Sequence, residues 1–272
     1  MQALSSALQA FASASNQMFS EGKLRAAALP ANTVQVWPGG ATFTTIQAAI
    51  NSISGAGPQV QYQVAVGPGT YNENVVMKDY VYVMGVDQAD TTITAPPQQQ
   101  FASGVVNSAA NCGISDLTIN ATGGGWGACP IGVKIAGSGQ FHIKGVTINT
   151  TDGGTGGNNI RGISNNTGSY AGNVILGQCI LNATGVAEST AIGVELFGMN
   201  GMTMFIDLCA ISVTGASQNF GVSTAVNATT TIDDSKIIAG TWALYNSDGS
   251  ATITANQCTI DGPVSNGVIV NS

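Results

Sequence analysis

The sequence predicts an all-β domain that winds as a single-stranded parallel β-helix, with about three short strands in each rung of the solenoid. Three observations predict this fold class. The chain contains 36 glycines among abundant Thr, Asn, Val and Ile, a composition typical of short strands and tight turns. A unit of about 23 to 33 residues repeats through the second half. Apolar residues within each unit recur two positions apart, which is the period of a strand.

The composition excludes several classes of protein and of site. Hydrophobic residues make up 44% of the chain, so a largely disordered chain is excluded. The net charge is −7, and no block of basic residues exists that could neutralise nucleic acid or anionic lipid. A single histidine, His142, excludes a multi-histidine metal site, and no long apolar run predicts membrane insertion. We therefore expect no nucleic acid, no cofactor and no metal.

Residues 1–32 are expected to form an N-terminal segment, followed by the β-helix domain over residues 33–272. The segment is rich in Ala, Ser and Gln. Leu4, Leu8, Phe11 and Met18 recur at helical spacing, which predicts an amphipathic helix. This helix either lies on its own domain or joins copies of the chain, because its apolar stripe needs a partner. The segment lacks the basic start and dense apolar core of a secretory signal, and we interpret the chain as a mature form.

The repeat becomes visible when six segments are aligned. They begin at residues 115, 144, 177, 207, 233 and 256, so the successive offsets are 29, 33, 30, 26 and 23. Two columns are expected to point inward: Leu117, Val146, Cys179, Cys209, Ser235 and Cys258 form one, and Ile119, Ile148, Leu181, Ile211, Ile237 and Ile260 form the other. A glycine followed by an apolar residue also recurs, at Gly104-Val105, Gly132-Val133, Gly162-Ile163, Gly193-Val194, Gly221-Val222 and Gly267-Val268.

The five cysteines are an odd number in a chain too large to need disulfides, and no C-x-x-C spacing for zinc occurs. Cys179, Cys209 and Cys258 fall in an inward column, so we expect buried, reduced thiols. Cys179 and Cys209 should lie on adjacent rungs, near the lower end of the Cα separation of a disulfide. A stack along one strand face usually gives the wrong side-chain geometry for that bond.

Asn120, Asn149 and Asn182 each follow an inward Ile or Leu. We interpret them as an asparagine ladder in a turn, where Asn tolerates a left-handed backbone. The same three residues, with Asn165 and Asn227, match the N-x-[ST] glycosylation pattern, which is weak evidence in a chain so rich in Asn and Thr.

The first half contains motifs of a known family. Residues 43–53 (FTTIQAAINSI) have helical spacing, and a strand over residues 62–66 leads into residues 67–75 (GPGTYNENV). These residues resemble the pectinesterase branch of the pectin lyase-like superfamily, which has a phe-x-thr-ile-gln-x-ala-ile helix followed by a pro-gly-x-tyr-x-glu turn. The resemblance continues through residues 81–85 and 91–94 and covers about 55 of the 272 residues. It implies a right-handed parallel β-helix with residues 43–53 capping its N-terminal end.

The motifs that carry the chemistry of this superfamily are absent. Pectinesterases work through two aspartates, an arginine and glutamines on the concave sheet, in motifs such as gln-asp-thr-leu and asp-phe-ile-phe-gly that this sequence lacks. The gly-his-gly and arg-ile-lys of polygalacturonases are also missing, and Arg161 supplies only the basic residue of a pectate lyase site. Glu73 matches the N-terminal motif alone, so we expect it to accept hydrogen bonds within its turn and not to be catalytic.

The alignment also brings acidic residues together. Asp207 and Asp233 share one aligned position on successive rungs and should stand about 5 Å apart. Lys144 shares that position, and Asp116 and Asp234 share the next. Two carboxylates so placed repel unless a shared proton, a calcium ion or a lysine relieves them, and such pairs also cleave glycosides. Asp207, Asp233 and Asp234 are the catalytic candidates, and solvated carboxylates at a corner are the alternative.

Two functions fit these features. The first is a non-enzymatic β-helix, a structural, adhesive or glycan-binding subunit of a surface or extracellular assembly that is tail-spike-like or filament-forming. Its partners would be copies of itself, joined through Leu4, Leu8, Phe11 and Met18, or a polysaccharide. The second is a polysaccharide-active enzyme, pectinesterase-like or a glycoside hydrolase, acting on acidic plant or bacterial glycans. We favour the first, at an extracellular or surface location, because the catalytic motifs are missing.

Overall fold

The computed structural model describes residues 32–39, 41–95, 103–125, 127–154, 157–165, 172–197 and 201–271. The expected amphipathic helix, with Leu4, Leu8, Phe11 and Met18, lies outside these residues. The described residues form one helix and 23 strands, and none of their helical structure is long and apolar enough to cross a membrane.

The helix, α1, spans Ile46–Ser52. The strands are β1 (Thr33–Val36), β2 (Tyr62–Val66), β3 (Gly69–Asn72), β4 (Val75–Val76), β5 (Val81–Gly85), β6 (Thr91–Thr94), β7 (Val106–Asn107), β8 (Cys112–Thr122), β9 (Ile131–Lys134), β10 (Gly139–Thr151), β11 (Asn159–Ser164), β12 (Gly172–Gly177), β13 (Ile180–Thr184), β14 (Thr190–Phe197), β15 (Thr203–Asp207), β16 (Ala210–Thr214), β17 (Gln218–Ala225), β18 (Thr229–Asp233), β19 (Lys236–Ala239), β20 (Trp242–Asn246), β21 (Thr252–Asn256), β22 (Thr259–Asp261) and β23 (Val268–Asn271).

Strands of successive rungs pair in parallel and form three stacks along the solenoid. The first stack runs β1-β2-β5-β8-β10-β12-β15-β18-β21-β23, and the second runs β3-β6-β8-β10-β13-β16-β19-β22. The long strands β8 and β10 continue around the corner between these stacks and join them into one 16-stranded sheet. The third stack, β4-β7-β9-β11-β14-β17-β20, is a separate seven-stranded sheet. The predicted parallel β-helix with about three strands per rung is confirmed.

The pairing register matches the predicted repeat alignment. Ile148 pairs with Ile119 and Leu181, and Ile211 pairs with Leu181 and Ile237. These side chains are fully or almost fully buried. Burying one aliphatic side chain of this size contributes roughly 1.5–3 kcal/mol, so the stacked columns supply much of the stability. From the third stack, the core receives Val133, Ile163, Val194, Val222 and Leu244.

In each of the six rungs from β8 onward, a single residue turns the chain between the first and second stacks. The corner residues have φ values between 45° and 59°, in the left-handed region: Asp116, Gly145, Gln178, Leu208, Asp234 and Gln257. A left-handed residue interrupts the alternation of side chains. As a result, buried residues lie three positions apart across the corner, as Ile206 and Cys209 do, and not two.

The asparagine ladder exists, but it does not lie at the turn. Asn120, Asn149 and Asn182 lie in β8, β10 and β13, four residues after the corner. Nδ2 of Asn149 donates to Oδ1 of Asn120, and Nδ2 of Asn182 donates to Oδ1 of Asn149, both at 2.9 Å. The predicted left-handed backbone at these asparagines is wrong. The turn is made by the left-handed corner residue, where two successive buried residues lie three positions apart and not two.

Side chains of the inward column that contains Cys179 and Cys209 also accept hydrogen bonds from backbone N–H groups next to the corner. The N–H of Cys179 donates to Sγ of Cys209 at 3.4 Å, and the N–H of Cys209 donates to Oγ of Ser235 at 3.0 Å. The side chains of Cys209 and Ser235 thus each accept a hydrogen bond from a backbone N–H group of the preceding rung, which an apolar side chain could not do. Cys179 and Cys209 are buried free thiols, as expected, whereas Cys258 is partly exposed.

The helical cap is present but begins later than predicted. The sequence predicts a helix over residues 43–53, and α1 spans Ile46–Ser52. Phe43 instead bridges to Val36 in strand-like pairing. The side chain of Thr45 caps the helix by accepting from the N–H of Ala48 at 3.2 Å. The helix packs on β1 and β2 and covers that end of the core with its buried residues Ile46, Ala49 and Ile50.

A column of glycines lies on the inner side of the third stack. Gly132, Gly162, Gly193 and Gly221 occupy equivalent positions, and a side chain at any of them would point inward. A Cβ on Gly193 would lie 2.5 Å from Cγ2 of Ile211 and 2.7 Å from the carbonyl oxygen of Gly221. No side chain fits there without displacing the neighbouring rung, which accounts for four of the six predicted glycine-apolar pairs. The prediction is wrong for Gly267-Val268, whose valine begins β23 in the first stack.

Candidate functional site

The first candidate site is the acidic corner, formed by Asp207, Asp233 and Asp234. Asp207 in β15 pairs with Asp233 in β18, at the adjacent positions that the alignment predicts. Asp234 is the left-handed residue of its rung. Oδ1 of Asp233 accepts a hydrogen bond from Nδ2 of Asn256 at 2.6 Å. Partial desolvation, followed by the charges of Asp234 and Asp233, raises the pKa of Asp207.

The acidic corner lies on an open edge of the solenoid. Asp234 is exposed, and Asp207 and Asp233 are half-buried. In the part of the chain that the structure describes, no group of three or more His, Cys, Asp or Glu side chains could hold a metal ion. A shallow groove of about 380 Å³ adjoins the corner, with Leu208 and Lys236 among its lining residues. Water and salt therefore reach these carboxylates and weaken their repulsion.

The second candidate site is the outer face of the third stack, which lies opposite the core side of that sheet. Two rows of side chains run along this face from rung to rung. The residue before each column glycine, or before Ala243 at the same position, forms the first row: Ile131, Arg161, Ile192, Phe220 and Trp242. The residue two positions after each column glycine, or after Ala243, forms the second row: Lys134, Ser164, Glu195, Ser223 and Tyr245.

A buried ion pair lies in the middle of this face. Nε of Arg161 is 2.5 Å from Oε2 of Glu195, and Oγ of Ser164 donates to the same oxygen at 2.6 Å. Nη1 of Arg161 also donates to the carbonyl oxygen of Asn159 at 3.3 Å. Arg161 is 6% exposed and Glu195 is 4% exposed, so their charges compensate each other away from bulk water. Lys134 pairs with Ser164 in register, and desolvation lowers the pKa of this lysine.

The surroundings of Glu195 limit the chemistry of this face. Glu195 is the one carboxylate in the strands of the third stack. Cleavage of a glycosidic bond by the usual mechanism uses two carboxyl groups, one as the acid and one as the base or nucleophile. A single carboxylate, held by a guanidinium and a hydroxyl, is suited to fixing the geometry of the face.

Three aromatic side chains form a cluster at the β20 end of the same face. The ring centroid of Tyr245 lies 5.2 Å from that of Phe220 and 5.6 Å from that of Trp242. The planes of Trp242 and Tyr245 differ by 27°, so these rings are stacked. All three side chains are half-buried, which leaves part of each ring in contact with solvent. The cluster therefore forms an apolar platform beside the polar row.

The outer face was largely missed by the sequence analysis. Arg161 was noted only as part of an incomplete lyase site, and Glu195 and the aromatic cluster were not noted. Part of the signal was present, because the residues that flank four of the glycine-apolar pairs by one position belong to the two rows, whereas Trp242 and Tyr245 flank Ala243-Leu244. The acidic corner lies between the first and second stacks, so the predicted acids do not join Arg161 and Glu195 in one site.

The residues of the N-terminal motifs hold the cap in place. The two carboxylate oxygens of Glu73 accept the backbone N–H groups of Ile46 and Gln47, each at 2.8 Å. Glu73 thus accepts hydrogen bonds as expected, but from α1 and not from its own turn, because the first N–H groups of a helix lack internal partners. The hydroxyl of Tyr71 donates to the carbonyl oxygen of Gly67 at 2.9 Å. Desolvation, with a smaller effect from the charge of Glu73, raises the pKa of Tyr71 to about 12.

Comparison with known proteins identifies structural neighbours only. No family model matches the sequence, and no curated protein matches it. The pectin methylesterase from Aspergillus niger aligns with a TM-score of 0.55 at 14% identity, over 90% of this chain and 82% of that chain. The pectin methylesterase from carrot aligns with a TM-score of 0.52 at 16% identity, over 91% and 90% of the two chains. Pectate lyase Pel9A aligns with a TM-score of 0.52 at 11% identity, over 90% and 80%.

Identities of 11–16% over nine tenths of the chain show a shared fold and do not transfer an activity. The likeness extends far beyond the N-terminal motifs and includes the rungs that carry the glycine column and the corner residues. Taken with the three parallel stacks, it establishes that this chain has the parallel β-helix fold of the pectin lyase-like proteins.

Proposed function

We propose that this protein is a non-enzymatic polysaccharide-binding β-helix that binds its ligand on the outer face of the third stack. The observation that carries the proposal is the cluster of Phe220, Trp242 and Tyr245 beside a row of polar side chains. Aromatic faces pack against the C–H groups of sugar rings, while nearby polar groups hydrogen-bond to sugar hydroxyls. The polar row before this cluster is buried, from 0% exposed at Ser164 to 9% at Lys134, so the half-buried aromatic rings are the part of this face that a ligand can contact.

Two further features support binding over catalysis. The strands of the third stack carry a single carboxylate, Glu195, and its charge is compensated by Arg161. The sequence lacks the catalytic motifs of the superfamily members that it resembles. The structural neighbours are pectin methylesterases and a pectate lyase by name, which supports a polysaccharide as the class of ligand for this fold.

The test is a binding measurement with a panel of soluble neutral and acidic polysaccharides. Trp242→Ala and Tyr245→Ala are each expected to weaken binding at least tenfold, because each removes a ring from the platform. Phe205→Ala is the matched control, since Phe205 is a partly exposed aromatic residue in β15 of the first stack. Equal binding by all three variants, or no binding by the unmodified protein to any member of the panel, would contradict the proposal.

The alternative is a polysaccharide-active enzyme that uses Asp207 and Asp233. It is favoured by their adjacent positions and by the raised pKa of Asp207. An enzyme would release methanol or reducing ends from pectin-like polymers, and the double variant Asp207→Asn, Asp233→Asn would lose that activity. A binding protein releases neither product, and the double variant retains full binding.

We also propose that the protein works as a subunit of a surface or extracellular assembly, joined through residues 1–32. The support is the apolar stripe of Leu4, Leu8, Phe11 and Met18, which needs a partner. The full chain is expected to be oligomeric or filamentous, and a chain starting at Thr33 is expected to have a smaller particle mass with unchanged β structure. Light scattering with circular dichroism measures both. A full-length monomer at high concentration would contradict this proposal and leave the binding proposal standing.

A further inference from the structure

Two thiols of adjacent rungs meet at the groove beside the acidic corner. The N–H of Cys179 donates to Sγ of Cys209 at 3.4 Å, and both residues line the groove, although they are only 1% and 3% exposed. Register pairing on either side of them is regular, with Gly177 opposite Asp207 and Ile180 opposite Ala210. The two Cα atoms are therefore separated by about one rung, ~4.8 Å, which lies within the 4.4–6.8 Å range, roughly, that disulfides span.

We propose that Cys179 and Cys209 form an oxidisable dithiol, a covalent modification site that a small dialkyl disulfide converts into an intramolecular disulfide. The expected obstacle for stacked cysteines is a pair of side chains that point away from each other. Here Sγ of Cys209 lies 3.4 Å from the backbone nitrogen of Cys179, and Sγ of Cys179 donates to the carbonyl oxygen of Gly177 at 3.3 Å, so disulfide formation requires rotation of the Cys179 side chain toward Cys209. The bond would link two successive rungs across the corner between the first and second stacks.

Cys209 is the first nucleophile in the proposed reaction. Interaction with the side chain of Cys179 lowers the pKa of Cys209, whereas interaction with Cys209, followed by desolvation, raises the pKa of Cys179. The Cys209 thiolate attacks one sulfur of the reagent disulfide, forms a mixed disulfide and expels a reagent thiolate, which takes up one proton. Cys179 then loses its proton, attacks Sγ of Cys209 and expels the second reagent half as a thiolate, which is protonated in turn. Two protein thiols are oxidised, and one reagent disulfide is reduced to two thiols.

The remaining cysteines lack a partner at this distance. Cys258 lies two rungs beyond Cys209, because Ser235 occupies the rung between them, and the Cα separation of about 9.6 Å exceeds the disulfide range. Cys112 pairs with Phe141 in the next rung. Cys129 lies outside this column, just before β9. Oxidation should therefore form a disulfide between Cys179 and Cys209 and not between any other two cysteines.

The experiment uses the full chain, treated under native conditions with hydroxyethyl disulfide, then denatured, alkylated and weighed by mass spectrometry. The expected product has lost two hydrogen atoms, has three alkylated cysteines of the five, and yields a crosslinked Cys179–Cys209 peptide on digestion. Cys209→Ser should abolish this product. Because Ser235 fills the equivalent position in the next rung, that variant should fold normally, as circular dichroism would check. Cys258→Ser is the control and should form the crosslink as the unmodified chain does.

Several results would overturn the inference. Five alkylated cysteines after prolonged treatment would show that the pair does not react. A lasting adduct of one reagent half on Cys209, without closure, would show that the two sulfurs cannot reach bonding geometry. A crosslink that persists in folded Cys209→Ser, or that involves Cys258, would assign the chemistry to another pair.

Discussion

The acidic corner and the outer face of the third stack differ in how their charged side chains are stabilised. At the corner, Asp207, Asp233 and Asp234 have like charges on an open edge, and water is their main source of relief. On the outer face, Arg161 and Glu195 are buried and each is the counter-charge of the other. The comparison teaches that position around the rung decides whether a charged side chain is relieved by water or must be paired with an opposite charge.

The largest effect is expected from breaking the buried pair. Glu195→Ala leaves the guanidinium of Arg161 buried without its carboxylate and should lower the free energy of unfolding by about 3–5 kcal/mol. Urea denaturation measures the change. The double variant Arg161→Met, Glu195→Leu should recover most of the loss, because it removes both buried charges. A loss below about 1 kcal/mol in Glu195→Ala would show that water reaches the pair.

An intermediate effect is expected at the corner itself. Leu208 has φ 53°, a conformation that costs a branched side chain roughly 1–2 kcal/mol and that Asn adopts more readily. Leu208→Asn should therefore raise the free energy of unfolding by about 0.5–1 kcal/mol. Ile180→Asn is the matched control, since Ile180 is also exposed beside the groove but lies in β13. Equal effects of the two variants on the urea midpoint would exclude backbone strain as the cause.

The smallest effect is expected from the acids. Asp207→Asn should change the free energy of unfolding by less than about 0.5 kcal/mol at neutral pH. The raised pKa of Asp207 means that folding disfavours its ionised form, so its cost to stability is present above the raised pKa and disappears as pH falls through that value. In the variant, the free energy of unfolding should therefore rise less between neutral pH and about pH 4 than it does in the unmodified protein. Urea midpoints at the two pH values measure this difference. Asp261→Asn, on the exposed β22, controls for loss of one negative charge.

The inward columns could be predicted because burial leaves a periodic trace in the chain. Residues such as Leu117 and Ile119 alternate with polar neighbours, and their copies recur once per rung. The corner was misplaced because several residue types accept its left-handed backbone, among them Asp116, Gln178 and Leu208. No single residue type marks it.

The ion pair could not be predicted for a different physical reason. Arg161 and Glu195 are 34 residues apart and meet diagonally between unequal rungs. Which residues of the third stack point outward depends on Gly162 and Gly193, because each glycine and the core residue after it both face inward and interrupt the alternation of side chains. A pattern of hydrophobicity alone does not reveal this interruption, although the glycine repeat does.

The rung register has a consequence for how such a molecule can change over generations. Each rung contacts only the rungs before and after it, and equivalent residues such as Ile211 and Ile237 make equivalent contacts. Duplicating or deleting one complete rung in the gene would therefore change only the interfaces that this rung makes with its two neighbours. The length of the outer face can therefore be inherited in whole steps of one rung.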